Sequence, residues 1–533
     1  MSTAPAPRRL AWGALRALVE RNVHVVGVAG TEGASIARFL CAQGLRHVTA
    51  HDLAAPDALE AEFKRQHVGL SREARAAAWT ALRALPVDWR LGDDYLAGVD
   101  AAEAVFAPQA WYLYPRNRAA LGALRERGVP FYGLMDLYFG LSAAPIVAVT
   151  GSNGKSTTSR LIERILQATP HRTFYAGNER RSVQVLDALS DMAADDRLVL
   201  EVSNRHLIDL APTPWIGVVT NVLPNHLDEH GGDLAAYAAV KRRLVAGVPA
   251  DGWAVLNADN PPTAAMAEGL AAPVLWFSRR GRVARGAWLD GGRIWVRLDA
   301  GAAAEPVLAA ADVPLVGDHN LENVLAAVAA GRAAGAGAAQ LAEAVRTFHG
   351  LRHRTQLVWS DGGVRFYDDL NATSPQATVA ALDALGHDGP ARVVLLVGGD
   401  DKGLDLDALT AAVRRHVRWL VVLPGPGGER IAAAVEAATG APATLPDGAV
   451  TASGADAAAA GLDAPLSSPV VERIDRLDAA VARVVEGARP GDVVLLSPAC
   501  PYFFRRHYVD GGAEIGFRQL LRAAQAGRGG APG

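Results

Sequence analysis

The residues best able to do chemistry in this chain lie in Val147-Ala-Val-Thr-Gly-Ser-Asn-Gly-Lys-Ser-Thr-Thr158. An apolar run, Ile146 to Val149, leads into Thr150-Gly151. Gly154-Lys155-Ser156 follows, and then a helical pattern with Leu161, Ile162, Ile165 and Leu166 on one face. A strand, a glycine-rich turn and a helix N-terminus in that order make a phosphate cradle, because the turn's N–H groups and the helix dipole both favour an anion. Lys155 can reach terminal phosphates, and Ser156 offers a hydroxyl to Mg²⁺. The pattern therefore predicts nucleoside triphosphate binding by Gly151, Asn153, Gly154, Lys155, Ser156 and Thr157. It is not a complete Walker A motif, since Val149 stands where that motif has its first glycine.

The elements that must position this loop belong to a large chain. Its 533 residues suffice for about three domains at ~150 residues each. Half the residues are apolar and 20% are charged, which fits packed cores rather than disorder. A net charge of −3 argues against nucleic-acid binding by bulk electrostatics. Cys41 and Cys500 are the only cysteines, so there is no disulfide framework and no cysteine zinc site, and a reducing cytoplasm fits. No apolar run reaches the ~18 residues of a membrane span, so membrane insertion is not expected.

Residues 1–142 read as a Rossmann-like N-terminal domain. A strand at His24 to Val28 runs into the glycine turn Gly27, Gly30, Gly33, with a helix expected around Ala34 to Gln43. A second strand, His47 to Ala50, ends at Asp52, about 20 residues on, where such folds place a ribose ligand. Many doubly wound domains carry such a turn for packing alone. Residues 54–100 read as a charged, helix-rich insertion. Residues 143–350 alternate strands and helices as a P-loop-type central ATPase domain. There Lys155, Glu201 and Asn221 all fall at the carboxyl ends of strands, where open parallel sheets bind ligands. Residues 351–533 form a third, Rossmann-like unit, with strands expected at Val364 to Tyr367, Val393 to Val397, Trp419 to Leu423 and Val493 to Leu496. Residues 424–428 and 440–468 read as loops or flexible insertions.

Further segments join the phosphate loop: Leu200-Glu-Val-Ser203, Asn221-Val-Leu-Pro-Asn-His226-Leu-Asp228, Tyr237-Ala-Ala-Val-Lys241, Gly317-Asp-His-Asn320-Leu-Glu-Asn323, Gly350-Leu-Arg-His-Arg354 and Tyr367-Asp-Asp369. In this order they resemble the Mur ligase family, and within it the branch that adds D-glutamate to UDP-N-acetylmuramoyl-L-alanine. The resemblance implies an ATP-dependent, amide-forming ligase of peptidoglycan precursor synthesis, working through an acyl phosphate. It implies three α/β domains that bind, in order, the UDP-linked donor, ATP and the amino acid. It implies that Lys155 holds the β- and γ-phosphates, that Ser156 and Glu201 ligate one Mg²⁺, and that His226 and a carbamylated Lys241 ligate a second. Without the resemblance, Lys241 would read as an ordinary solvated helix lysine.

The same likeness assigns Asn320 and Asn323 to the adenine site, Arg354 to phosphate and Asp369 to the ribose, with ATP between the second and third domains. Helix capping is an equal reading of the asparagines, and both can hold. Gly30, Thr31, Asp52, Asn178 and Ser203 are implied donor contacts, and Thr373 and Lys402 implied contacts of the acceptor carboxylate. A monomer is expected.

Departures cluster away from the nucleotide. Leu370-Asn-Ala-Thr373 lacks the lysine common after Asp369. Pro501-Tyr-Phe-Phe504 is bulky where a small hydroxyl residue is usual. Glu179-Arg-Arg181 replaces an apolar stretch, and its arginines are expected near the donor pyrophosphate. Ala107-Pro-Gln109 stands where Ser-Pro-Gly is typical. L-Glutamate or another acidic amino acid therefore stays open as acceptor, as does a folylpolyglutamate-synthase-like activity. A non-catalytic nucleotide-binding role is the third reading; the joint presence of Lys155, Glu201, His226 and Lys241 speaks against it.

Overall fold

The computed structural model describes residues 10–109, 111–177, 183–224, 227–386, 392–439, 469–501, 503 and 516–528. The expected site residues Asn178 and His226, with Arg180, Arg181 and Asn225, lie outside the described residues, as does the insertion at 440–468. The described chain is α/β, with three sheets.

The first sheet is parallel and has five strands, in the order Asp88–Leu91, His47–Asp52, Asn22–Val26, Ala104–Phe106, Phe131–Tyr132. Its first strand ends at Val26, earlier than the sequence pattern suggested, because Gly27 already turns the chain with φ of 75°. Helix Thr31–Ala42 follows, burying Ile36, Phe39 and Leu40 against the sheet. The stretch read as an insertion is in part integral. Its helices Leu59–Gln66 and Arg72–Arg83 lead into Asp88–Leu91, which is an edge strand of this sheet.

The second sheet has nine strands, in the order Glu305–Ala309, Arg293–Arg297, Gly286–Asp290, Val274–Ser278, Trp253–Asn257, Ile216–Val219, Ile146–Thr150, Arg197–Glu201, Thr173–Gly177. It is parallel from Gly286–Asp290 onward, and the hairpins at its far edge are antiparallel. The central strand Ile146–Thr150 is buried on both faces, hence its unbroken apolar character. An apolar core runs from Val25, Phe39 and Phe106 through helix Leu134–Leu141 to Ile146, Leu198 and Leu200. Each fully buried Leu or Phe contributes on the order of 2 kcal/mol, so this core joins the first two sheets firmly. Both sheets fall in one compact unit, Met1–Val313 with Leu321–Thr347.

The third sheet lies in the other unit, Pro314–Asn320 with Phe348–Gly533. Its order is Gln356–Asp361, Val364–Asp368, Val493–Ala499, Val393–Gly398, Val417–Val422, Val470–Arg473, with only the first pair antiparallel. The two outer strands were not expected from sequence. Gln356–Asp361 is partly exposed and lacks a continuous apolar run, and Val470–Arg473 is only four residues long. Residues 426–428, expected in a loop, open the helix Pro426–Thr439. Proline is tolerated in a helix's first turn, and Gly427 and Gly428 are buried in it.

Candidate active site

The phosphate loop needs its glycines for space as well as for conformation. Gly151 has φ of 151°, and a Cβ there would lie 1.9 Å from Thr220 Oγ1. Gly154 has φ of 82°, and its Cβ would lie 2.0 Å from Asn323 Oδ1. Helix Lys155–Gln167 starts next and buries the predicted face Leu161, Ile162, Ile165 and Leu166. The loop is held from the neighbouring strand: Asn153 N–H donates to Asn221 Oδ1 (3.0 Å), and its carbonyl accepts from Thr220 Oγ1 (2.6 Å). Lys155 Nζ folds back and donates to the carbonyls of Gly151 and Ser152, each at 3.0 Å. Ser156 is buried and Thr157 half-buried, while Asn153 is exposed. Asn323 packs on this loop, and Thr158 Oγ1 donates to its Oδ1 (3.4 Å).

Lys241 and Glu201 stand beside the loop. Lys241 lies on helix Leu234–Ala246 and is 0% exposed. Its Nζ donates to the Gly151 carbonyl (3.0 Å) and sits 4.5 Å from the centre of the Tyr237 ring. Burial, and then the charge of Lys155, push its pKa down to about 6. Glu201 ends strand Arg197–Glu201 at 2% exposure, and its Oε2 has no hydrogen-bond partner among the described residues. An unpartnered buried carboxylate oxygen at the end of the strand paired with the one that leads into the phosphate loop is the hard-oxygen donor chemistry that suits Mg²⁺. Among the described residues no three His, Cys, Asp or Glu side chains gather as a metal cluster, and the expected ligand His226 lies outside them.

Of the donor-site candidates, Gly30, Thr31 and Asp52 sit at the carboxyl ends of strands of the first sheet, and Ser203 follows strand Arg197–Glu201 of the second. Gly30 precedes helix Thr31–Ala42, and its N–H donates to Gly27 O. Asp52, whose pKa burial raises, accepts from Ala29 N–H (2.7 Å) through Oδ2 and from Ala54 N–H (2.9 Å) through Oδ1. It braces the glycine turn. Ser203 caps the short helix Asn204–Leu207, accepting from His206 N–H (3.3 Å), and donates its hydroxyl to Gln109 Oε1. Glu32, Gln109 and His206 gather around Ser203. Gln109 drew notice in the sequence only as a departure. The signal for His206 was its place three residues beyond a serine cap.

In the other unit, Asn320 Nδ2 donates to Val316 O (2.8 Å), a local turn contact. Arg354 is exposed, between His353 and Thr355, whose φ values are 62° and 41°. Asp369 is buried. Its Oδ1 accepts from Thr355 N–H (2.9 Å), its Oδ2 from Ser497 Oγ (2.8 Å), and burial pushes its pKa up to about 6. Thr373 is exposed, as is Lys402 in the loop after strand Val393–Gly398. Next to Lys402, Asp401 pairs with Arg430 at 3.0 Å.

Comparison with known proteins bears on this geometry. Residues 149–331 match the Mur ligase middle domain, and residues 353–500 match the Mur ligase, glutamate ligase domain. The chain is 33% identical over 488 residues to a UDP-N-acetylmuramoylalanine–D-glutamate ligase of Pelotomaculum thermopropionicum, covering 91% of this chain and 94% of that one. It is 34% identical over 511 residues to the protein of the same name from Symbiobacterium thermophilum, covering 95% and 98%. Among solved structures it resembles a UDP-N-acetylmuramate–alanine ligase from Thermotoga maritima, with a TM-score of 0.54 at 15% identity over 95% of this chain and 100% of the other. That likeness concerns the fold.

Proposed function

The chain belongs to the Mur ligase family, and from that premise we propose that it joins D-glutamate to UDP-N-acetylmuramoyl-L-alanine while ATP is cleaved to ADP and phosphate. It is an ATP-dependent amide ligase that uses Mg²⁺. The names of the relatives, over nearly their whole lengths, support the choice of substrates. Both ATP and a UDP-linked precursor are cytoplasmic metabolites, so the reaction is assigned there, by a monomer. The division of labour is donor binding by residues 1–142, ATP by 143–350 and amino acid by 351–533.

The reaction has two displacements. A carboxylate oxygen of the donor attacks the γ-phosphorus and ADP leaves; the amine of glutamate then attacks the acyl phosphate, loses a proton and expels phosphate. The protein's contribution is to position the groups and to neutralise charge where it develops. Lys155 turns from the loop carbonyls to the β- and γ-phosphates, while the N–H groups of residues 151–157 cradle them. Asn323 and Asn320 take the adenine, and Arg354 and Asp369 the phosphate and ribose. Gly30, Thr31, Asp52, Asn178 and Ser203 hold the donor, with Arg180 and Arg181 near its pyrophosphate. Thr373 and Lys402 hold the acceptor's side-chain carboxylate. Ser156 and Glu201 would hold one Mg²⁺, and His226 with Lys241 a second; when bound, the ions supply positive charge between triphosphate and acid.

The observation that carries this reading is Lys241, wholly buried against the phosphate loop. Its lowered pKa leaves a free amine at neutral pH, and an amine adds CO₂ with loss of a proton to form a carbamate. That modification turns a buried amine into an oxygen ligand. The test is phosphate release with UDP-N-acetylmuramoyl-L-alanine and D-glutamate, L-glutamate or another acidic amino acid, with the product identified by mass. D-Glutamate is expected to support turnover; release only with L-glutamate or with a folate acceptor would overturn the assignment.

A further inference from the structure

Glu32, Gln109, Ser203 and His206 form a closed polar ring, and one member is an amide. Glu32 lies in the first turn of helix Thr31–Ala42 and Gln109 follows strand Ala104–Phe106. Ser203 and His206 follow strand Arg197–Glu201. The Ser203 hydroxyl donates to Gln109 Oε1, and Gln109 Nε2 points its N–H at Glu32 Oε1 from 3.5 Å. His206 Nδ1 accepts from Ser203 N–H (3.2 Å), which leaves the ring proton of a neutral imidazole on Nε2, itself 3.5 Å from Glu32 Oε1. The His206 side chain is 3% exposed. Its Nε2 and Glu32 Oε2 are buried and make no hydrogen bond to any described residue. One orphan is a donor and the other an acceptor, around a carboxamide that already uses its own oxygen and nitrogen to bridge the two sides.

We propose that Glu32, Ser203 and His206 are a recognition site for an amide of the acyl donor, and that the carboxamide of Gln109 occupies that site until the donor displaces it. The proposal rests on the substrate assignment above. UDP-N-acetylmuramoyl-L-alanine carries an acetamido group and an alanyl amide between its pyrophosphate and its carboxylate. Glu32 lies two residues beyond Gly30 and Ser203 two residues beyond Glu201, so the cluster links the proposed donor turn to the strand end that carries the proposed metal carboxylate. A carboxylate in a helix's first turn repels phosphate and accepts N–H, so a neutral amide suits Glu32 better than the pyrophosphate does. An internal amide that must leave first lowers apparent affinity by the fraction of molecules in which it is displaced.

The experiment is calorimetric binding of UDP-N-acetylmuramoyl-L-alanine, and separately of UDP, to the full chain. Gln109→Ala removes the competitor and is expected to tighten donor binding about three- to tenfold. A misfolded variant cannot produce such a gain. Glu32→Gln keeps size but places an N–H where an acceptor is needed, and is expected to weaken donor binding about tenfold or more. UDP has no amide of this kind, so its Kd is expected to stay the same in both variants. If Gln109→Ala weakens donor binding or leaves it unchanged, or if UDP shifts in step with the donor, the proposal fails. If the wild-type chain binds UDP but gains nothing from the N-acetylmuramoyl-alanine part, the substrate assignment fails and takes the proposal with it.

Discussion

Lys155 and Lys241 donate to one acceptor, the carbonyl oxygen of Gly151, each at 3.0 Å. Burial presses Lys241 to give up its proton, and repulsion from the Lys155 ammonium on the same oxygen adds to that pressure. Carbamylation would reverse its charge and relieve that repulsion. Lys241→Arg keeps a cation but cannot form a carbamate at neutral pH. It is expected to lower kcat by about a hundredfold or more, with little change in donor binding. The check is steady-state phosphate release, together with a carbonyl resonance from ¹³C-bicarbonate that the wild type shows and the variant lacks. A fully active Lys241→Arg enzyme would sink the modification.

The contact of Gly154 with Asn323 predicts a coupled pair. Gly154→Ala introduces both a left-handed strain of about 1–2 kcal/mol and a collision with Asn323 Oδ1. In an Asn323→Ala background the collision is gone and the strain remains. The glycine substitution is therefore expected to be less harmful to stability in that background, as urea unfolding of the four proteins in the cycle would measure.

Asp369 sets a pH signature. Its folded pKa of about 6 lies above that of an unfolded Asp, so the native state binds the extra proton. Stability from this group thus falls as pH rises from about 4 to about 6 and stays low above that range. Asp369→Asn is expected to stabilise the chain at pH 7 by up to ~3 kcal/mol and to have no such effect at pH 4. Ser497 Oγ can accept from the new amide. Denaturant melts at the two pH values decide it, and a stabilisation equal at both would contradict the burial argument.

Lys402 is exposed on its loop and available to an incoming carboxylate. Lys402→Ala is expected to raise the KM for glutamate about tenfold or more while leaving the KM for ATP unchanged. Equal rises in both would place the residue elsewhere in the reaction.

Much of the fold was legible because its strands are buried on both faces. Ile146–Thr150 and Val393–Gly398 read as continuous apolar runs, and the helix after Gly154 shows its face at 3.6-residue spacing. Edge elements were less legible. Gln356–Asp361 and Val470–Arg473 are strands only because a neighbour pairs with them. Pro426–Thr439 begins in a Pro-Gly-Gly sequence that propensity assigns to a loop, and packing against strand Val393–Gly398 overrides it.

By itself the sequence determined the phosphate cradle, since strand, glycine turn, lysine and helix are contiguous and their chemistry is local. Tertiary structure decided which charges are buried. Nothing in Tyr237 to Lys241 says that the lysine is sealed from water against a carbonyl ninety residues away, or that Asp52 spends both oxygens on backbone N–H groups. The ring of Glu32, Gln109, Ser203 and His206 was likewise invisible, because its members come from different strand ends and meet only where a shared core fixes two sheets together. Burial and long-range proximity are properties of the packed chain, and they set both protonation and hydrogen-bond partners.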